Sequence, residues 1–205
     1  MKKFELTNEF ITNMFGTKLF RIRALVEFGD VEAGELGGYV EKESNLGHDD
    51  NAWVYDNAWV YGDAQVSGDA LVYDNARVYG NARVYGDAQV SGDARVYDNA
   101  WVYGDAQVSG DARVCGDARV CGNGDYAYAH GFGSVNRTTT FFRLKDGGVG
   151  VRCGCFYGTL AQFRDKIRET HGETKKAQEY LMLADLMELR FEEDENEVGN
   201  RKYVE

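Results

Sequence analysis

The chain has 205 residues, 43% of them hydrophobic, and a net charge of −11. One or two domains and a sizeable core are expected, and the acidic balance argues against generic binding to nucleic acid or to anionic membranes. No apolar run reaches the roughly 18 residues of a spanning helix, and Met1–Glu5 leads into polar residues rather than a leader's apolar segment, so a cytoplasmic location is expected. Four cysteines in such a chain point to reduced thiols rather than a disulfide framework. There is no proline, so turns must be built from Gly, Asp and Asn.

Residues 1–45 carry apolar patches (Phe20, Ile22, Ala24, Leu25, Val26) among Gly29, Gly34, Gly37 and Gly38. They read as an N-terminal cap of short strands and turns. From residue 46 a six-residue phrase takes over. Valine recurs at 54, 60, 66, 72, 78, 84, 90, 96, 102, 108, 114 and 120, with alanine two residues before each. Tyr, Ser or Cys comes after the valine, then Gly or Asp, then Asp or Asn. Ala and Val two apart share one side of an extended strand. The Gly-Asp and Asp-Asn pairs supply turns that tolerate positive φ. A two-residue strand and a corner every six residues suit a one-way solenoid with parallel ladders between its turns. Counting back, Leu46 falls on an alanine position and His48 on a valine position, while Tyr126 and Phe132 continue the valine register forward.

After residue 125 the periodicity changes. Thr138–Lys145 and Val149–Tyr157 read as two strands about Asp146-Gly147-Gly148, a hairpin signal. Thr159 and Gln162 are spaced as a capping box for a helix with Leu160, Phe163 and Ile167 on its apolar stripe, and Gly172 is a stop. A second helix starts near Thr174. Ala177, Tyr180, Leu181, Ala184, Met187 and Phe191 share a face, and Leu183, Leu186 and Leu189 widen it, as expected for a helix buried on two sides, one of them a partner subunit. The tail, residues 193–205, is acidic on balance and reads as flexible. Tyr126–His171 holds seven Arg or Lys against three Asp or Glu, the one basic region of the chain.

The hexads resemble those of left-handed parallel β-helices, the hexapeptide-repeat proteins. Arg21–Leu46 ("RIRALVEFGDVEAGELGGYVEKESNL") resembles the entry segment of bacterial and prophage members of that group, some labelled acetyltransferases. "TTTFFRLKDGGVGVRCGCFYGTLAQFRDKIRETHG" resembles a phage-type C-terminal module. The resemblance implies a mainly β fold: a left-handed parallel β-helix of about four coils over 46–125, a cap over 1–45, and a hairpin with two helices over 126–192. It also implies a homotrimer, a phage or prophage origin and, for a phage-encoded chain, the host cytosol.

Three hexads per coil set the outward residues in columns. A first face carries Trp53, Leu71, Gln89 and Gln107 beside Tyr55, Tyr73, Ser91 and Ser109. A second carries Trp59, Arg77, Arg95 and Arg113 beside Tyr61, Tyr79, Tyr97 and Cys115. A third carries Gln65, Arg83, Trp101 and Arg119 beside Ser67, Tyr85, Tyr103 and Cys121. Tyr, Trp and Arg are enriched at protein interfaces, so these faces could pack on a second subunit. Arg also takes phosphate, and aromatic rings take a base, so Arg77, Arg95, Arg113, Tyr79 and Tyr97, with Arg83, Trp101 and Arg119, are candidate contacts for an anionic or nucleotide ligand. Arg137, Arg143 and Arg152 form an alternative anion site in the basic module.

Hexapeptide acyltransferases use a histidine base near a coenzyme A groove and an excursion loop. Here the hexads run unbroken, and His48, His130 and His171 lie outside them in no catalytic motif. Cys153 and Cys155 lack two further soft ligands for zinc. The sequence therefore reads as a non-catalytic, cofactor-free homotrimer that sequesters a small nucleotide-like ligand or blocks a host defence protein. A coenzyme A-dependent acetyltransferase and a purely structural assembly protein are the alternatives.

Overall fold

The structure, a computed structural model, describes residues 2–133 and 136–192; the tail read over 193–205 lies outside them. Strand β1 (Phe4–Thr12), β2 (Lys18–Ala24) and β3 (Leu36–Val40) precede twelve two-residue strands, β4 to β15, running from Trp53–Val54 to Arg119–Val120. Each of the twelve is a hexad's valine with the residue before it. Strands three apart pair in parallel, Arg77 with Arg95 and Arg95 with Arg113 for instance, so three hexads complete one turn of a β-solenoid.

The core comes directly from the repeat. Every hexad valine and its alanine is buried, none more than 1% exposed. Alanine fits where the chain approaches a corner, and valine fills the prism. Each buried valine contributes about 1.5–3 kcal/mol relative to an exposed one. The corner position two after valine takes the left-handed conformation, with φ 70° at Gly62 and 60° at Asp74. Glycine adopts it freely. Asp74 is also hydrogen-bonded there, its carboxylate accepting from the Gly92 N–H of the next turn at 3.0 Å.

The solenoid has about five turns, one more than twelve valine hexads supply. The extra turn comes from upstream, in a register different from the one expected. Val40 pairs with Val60, and Leu46 bridges to Val66. Leu46 therefore occupies a valine position, not an alanine position. Counting back in sixes fails because eight residues, not six, separate Leu46 from Val54. His48 lies in that longer connection, stacked on Phe4 at 4.4 Å. At the other end the valine register stops at Val120. Tyr126 and Phe132 belong instead to a strand that pairs antiparallel with Arg137–Arg143.

The N-terminal cap is more regular than short strands and turns. β1 and β2 form an antiparallel hairpin of nine- and seven-residue strands, and β2 pairs with β3. All three extend the second face of the solenoid into one seven-stranded sheet. Phe4, Ile22, Val31 and Trp53 close the prism. Trp53 is thus fully buried rather than outward.

Beyond the solenoid, β16 (Tyr126–Phe132), β17 (Arg137–Arg143), β18 (Val149–Cys153) and β19 (Phe156–Thr159) form an antiparallel sheet. The second expected strand is two, split by Gly154 at φ 58°. Helix α1 (Leu160–His171) begins with the Thr159–Gln162 capping box, and α2 (Lys175–Phe191) is capped by Thr174. Phe141, Val151, Phe163, Tyr180 and Ala184 make a second core. Leu183 joins it, whereas Met182, Leu186 and Leu189 are exposed on the opposite flank of α2. No helix among the described residues is long and apolar enough to cross a membrane.

Candidate functional site

The second face of the solenoid gathers the largest set of candidate residues. Ladder pairing places Tyr39, Trp59, Arg77, Arg95 and Arg113 in one column. The adjoining column is a stack of phenol rings: Tyr61 on Tyr79 at 4.9 Å and Tyr79 on Tyr97 at 5.0 Å, tilted by 5° and 4°. The Arg77 guanidinium lies on the Trp59 ring at 4.2 Å. Burial raises the phenol pKa values of Tyr61 and Tyr79, so both hydroxyls stay protonated donors at neutral pH.

This arginine column is electrostatically unfinished. In the cap above it, Arg21 pairs with Glu9 at 3.4 Å and donates to the Tyr39 hydroxyl. Arg77, Arg95 and Arg113 have no ion-pair partner among the described residues, although the chain is acidic. The reason is geometric. Acidic residues stand at the corners, and Asp74 and Asp98 point along the solenoid axis to accept from Gly92 and Gly116 N–H groups.

At its N-terminal end the column borders a cleft of about 490 Å³. One wall is Trp59, Tyr61, Arg77, Tyr79 and Arg95; the other is the tip of the β1–β2 hairpin, Thr12–Phe15. Asn13 shapes that tip, its Oδ1 accepting from the Phe15 and Thr17 N–H groups at 2.9 and 3.0 Å. Its Nδ2 is buried with no hydrogen-bond partner among the described residues. Met14 and Phe15 are 89% and 79% exposed. At the C-terminal end the phenol stack is closed. The Tyr97 hydroxyl bonds Cys115, whose thiol is pushed up to about 11, chiefly by burial, and Arg152 lies 6.0 Å from the Tyr97 ring.

The third face differs. Trp101 lies between Arg83 at 5.1 Å and Arg119 at 4.2 Å. Arg119 also donates to the Asn99 and Ala118 carbonyls at 3.0 and 2.8 Å. Tyr85 stacks on Tyr103 at 5.1 Å. Arg119 is thus occupied by the protein itself, whereas Arg83 is held by the Trp101 ring alone among the contacts of the described residues.

The three arginines of the basic module do not converge. Arg143 is 6% exposed, donates to the Gly147 carbonyl and packs between Asp125 and Phe191. Its role is to fasten α2 to the solenoid end. Arg152 joins the second face. Arg137 borders a separate cavity of about 290 Å³ with Cys153, Cys155 and Tyr180. The histidines are dispersed as well. His130 lies 2.8 Å from Thr138 Oγ1 and 3.7 Å from Asp111, and His171 stacks near Tyr180. None borders the second-face cleft.

The hairpin tip is the element that sequence reasoning missed. It lies more than forty residues from Trp59 in the chain, and only the pairing of β2 with β3 carries it to the arginine column. The available signal was Met14-Phe15 beside Gly16, two large apolar residues in a turn.

Comparison with known families bears on the repeat alone. The chain is similar to the YdcK β-solenoid repeat over residues 64–78, 76–90, 88–104 and 106–122. Each matched segment opens on an inward alanine and lies wholly within the solenoid. With the geometry above, this makes the chain a repeat β-helix protein. No curated protein matches it.

Proposed function

We propose that this chain is a binding protein without a catalytic centre of its own, which assembles as a homotrimer and captures a small anionic ligand on the second face. A phage or prophage origin, with a host nucleotide signal or a host defence protein as the target, fits this reading. One observation carries it: three guanidinium groups in adjacent rungs with no carboxylate among the described residues to meet them. Rungs of a sheet are about 4.8 Å apart, where two like charges repel by about 1 kcal/mol even in water. An anion set between them removes that repulsion and gains charge-assisted hydrogen bonds. Carboxylates of a neighbouring subunit could do the same, so ligand binding and assembly must be measured together.

Arg95→Ala is the decisive variant. The side chain points away from the core, so the fold should persist within about 0.5 kcal/mol. Nucleotide affinity by calorimetry should fall about 10–100-fold, the effect of losing roughly 1.5–3 kcal/mol of hydrogen bonding to a charge. Lysine should restore part of it, keeping the charge without the planar fork. Light scattering on the same samples should give three times 23.0 kDa. A monomeric particle at micromolar concentration removes the trimer. Unchanged affinity in an intact trimer removes this face.

A further inference from the structure

The two ends of the tyrosine stack are not equivalent, and that difference locates and defines a ligand. Within the stack the rings stand 4.9 and 5.0 Å apart. Admitting another ring between two of them needs about 7 Å, twice the stacking distance of bases. The ladder hydrogen bonds on either side, such as Tyr61 N–H to Val78 O and Tyr79 N–H to Val96 O, both 3.0 Å, hold the rungs together. A planar ligand can therefore only stack on an end. The lower end is closed by Cys115 and Arg152. At the upper end, Tyr61 has Tyr79 on one side; on the other the next rung carries Glu41, whose carboxylate accepts from the Gly62 N–H at 2.7 Å, and the Tyr61 side chain lines the cleft.

Across that cleft stands the hairpin tip. Phe15 is held by Asn13, yet it is mostly exposed. Arg77 is fixed on Trp59, and Arg95 stands one rung below. We infer that the cleft is a seat for one nucleotide-like molecule: a heteroaromatic ring stacked on Tyr61 beneath Phe15, its phosphate held by Arg77 and Arg95. This rests on the anion-binding reading of the second face and narrows it from any small anion to a single nucleoside phosphate. The volume, about 490 Å³, falls within the usual range of small-molecule pockets. The charge of −11 opposes longer polyanions such as nucleic acid strands.

Calorimetry with the four common nucleoside 5′-monophosphates and with inorganic pyrophosphate tests this. At least one monophosphate should bind more tightly than pyrophosphate. Tyr61→Leu should weaken that nucleotide about tenfold, the usual scale of one base–aromatic stack, and leave pyrophosphate within twofold, which also shows that the variant is folded. Phe15→Ala should weaken the nucleotide about three- to tenfold, with the trimer intact. Tyr97→Leu, two rungs below, should change it less than twofold. Pyrophosphate binding as tightly as every nucleotide, with Tyr61→Leu indifferent, would overturn the seat and leave the anion reading standing. Equal losses in Tyr61→Leu and Tyr97→Leu would overturn it too, since the stack would then act as a whole. Dissociation of the trimer by Phe15→Ala, with nucleotide affinity unchanged, would make the tip a contact between subunits and remove the ligand from beneath it. Binding of none of the probes would overturn both readings.

Discussion

The two ends of the solenoid solve opposite chemical problems. The bonds that flank each strand and cross each corner run one way, from an N–H of one turn to a carbonyl of the next: Trp53 to Ala70, Tyr55 to Val72, Asn57 to Asp74. For these bonds the first turn presents carbonyls and the last presents N–H groups, whereas corner glycine N–H groups donate the other way, Gly92 to Asp74 and Gly116 to Asp98. At the N-terminal end the cap supplies donors to those carbonyls, alongside acceptors for two corner N–H groups, Glu41 Oε2 for Gly62 and Asp50 Oδ2 for Gly68. Buried Lys3 gives its ammonium to the Asp50 and Ala52 carbonyls, both at 2.8 Å, and the Asn45 amide gives Nδ2 to the Gly62 and Ala64 carbonyls. At the C-terminal end the closing segment supplies acceptors to the strand-flanking N–H groups, alongside two donors, the Tyr126 hydroxyl to the Gln107 carbonyl and the Lys145 N–H to the Asp117 carbonyl. Asn123 Oδ1 takes the Gln107 N–H at 2.9 Å, Thr140 Oγ1 takes that of Arg113 at 2.9 Å, and Asp125 Oδ2 takes that of Cys121 at 3.0 Å. An open solenoid end is an exposed sheet edge. These side chains show that closing one requires the right polarity as well as coverage.

The largest effect belongs to what both ends depend on, the repeating core between them. Val90→Asp should abolish soluble folded protein, because an unpaired carboxylate would replace a fully buried valine in a narrow prism. Asp at Gln89, one residue earlier and half-buried on the outside, should be tolerated. Circular dichroism and solubility measured on both variants check this. Similar behaviour of the two would contradict the inward–outward alternation.

The next effect separates the ends. Asn45→Asp and Asn123→Asp are the same chemical change. Asn45 is fully buried, and its replacement would lose two donors and aim a carboxylate at two carbonyls. A cost of about 3–5 kcal/mol is expected, as for an uncompensated buried charge. Asn123 only accepts, and aspartate accepts as well, so its cost should stay within about 0.5–1 kcal/mol. Denaturant melts of the two variants give the comparison directly. Equal destabilisation would show that polarity does not govern the caps.

The solenoid was legible in the sequence because its information is local. Each hexad carries its own strand, inward pair and corner, and the columns come from counting. The ends were not legible because their bonds join residues far apart in the chain. Lys3 meets Ala52 and Asn45 meets Ala64 only after the turns are stacked. The misplaced register at Leu46 has the same origin. A longer connection through residues 47–50 serves contacts with Phe4 and Gly68, and nothing in the hexad rule reports it. The candidate site divides likewise. The arginine and tyrosine columns could be counted out. That the arginines lack partners, and that a hairpin tip faces them, required the fold.

Titration should distinguish one buried site at each end by sign, with the smallest effect of the series. At the C-terminal end of the tyrosine stack, burial raises Cys115 from 9.0 to about 11, and burial together with the bond to Cys115 raises Tyr97 as well. Both groups hold their protons more tightly in the folded state. The stability they contribute is complete below pH 9 and is lost as pH rises through 9 to 11. At the N-terminal end burial lowers Lys3 below 10.5. The folded state there holds its proton less tightly, so that contribution grows over the same alkaline range. Replacing Tyr97 and Cys115 together by Phe and Val removes the titrating pair while keeping its volume. The loss of melting temperature between pH 8 and pH 10.5 should then shrink. The pair contributes on the order of 1–3 kcal/mol, and each kcal/mol corresponds to roughly 2–4 °C for a chain of this size. Lys3→Met should do the reverse and steepen the alkaline loss, because it removes a contribution that rises with pH. Parallel melting curves for the three proteins across this range would mean that neither Lys3 nor the Tyr97–Cys115 pair couples folding to proton binding.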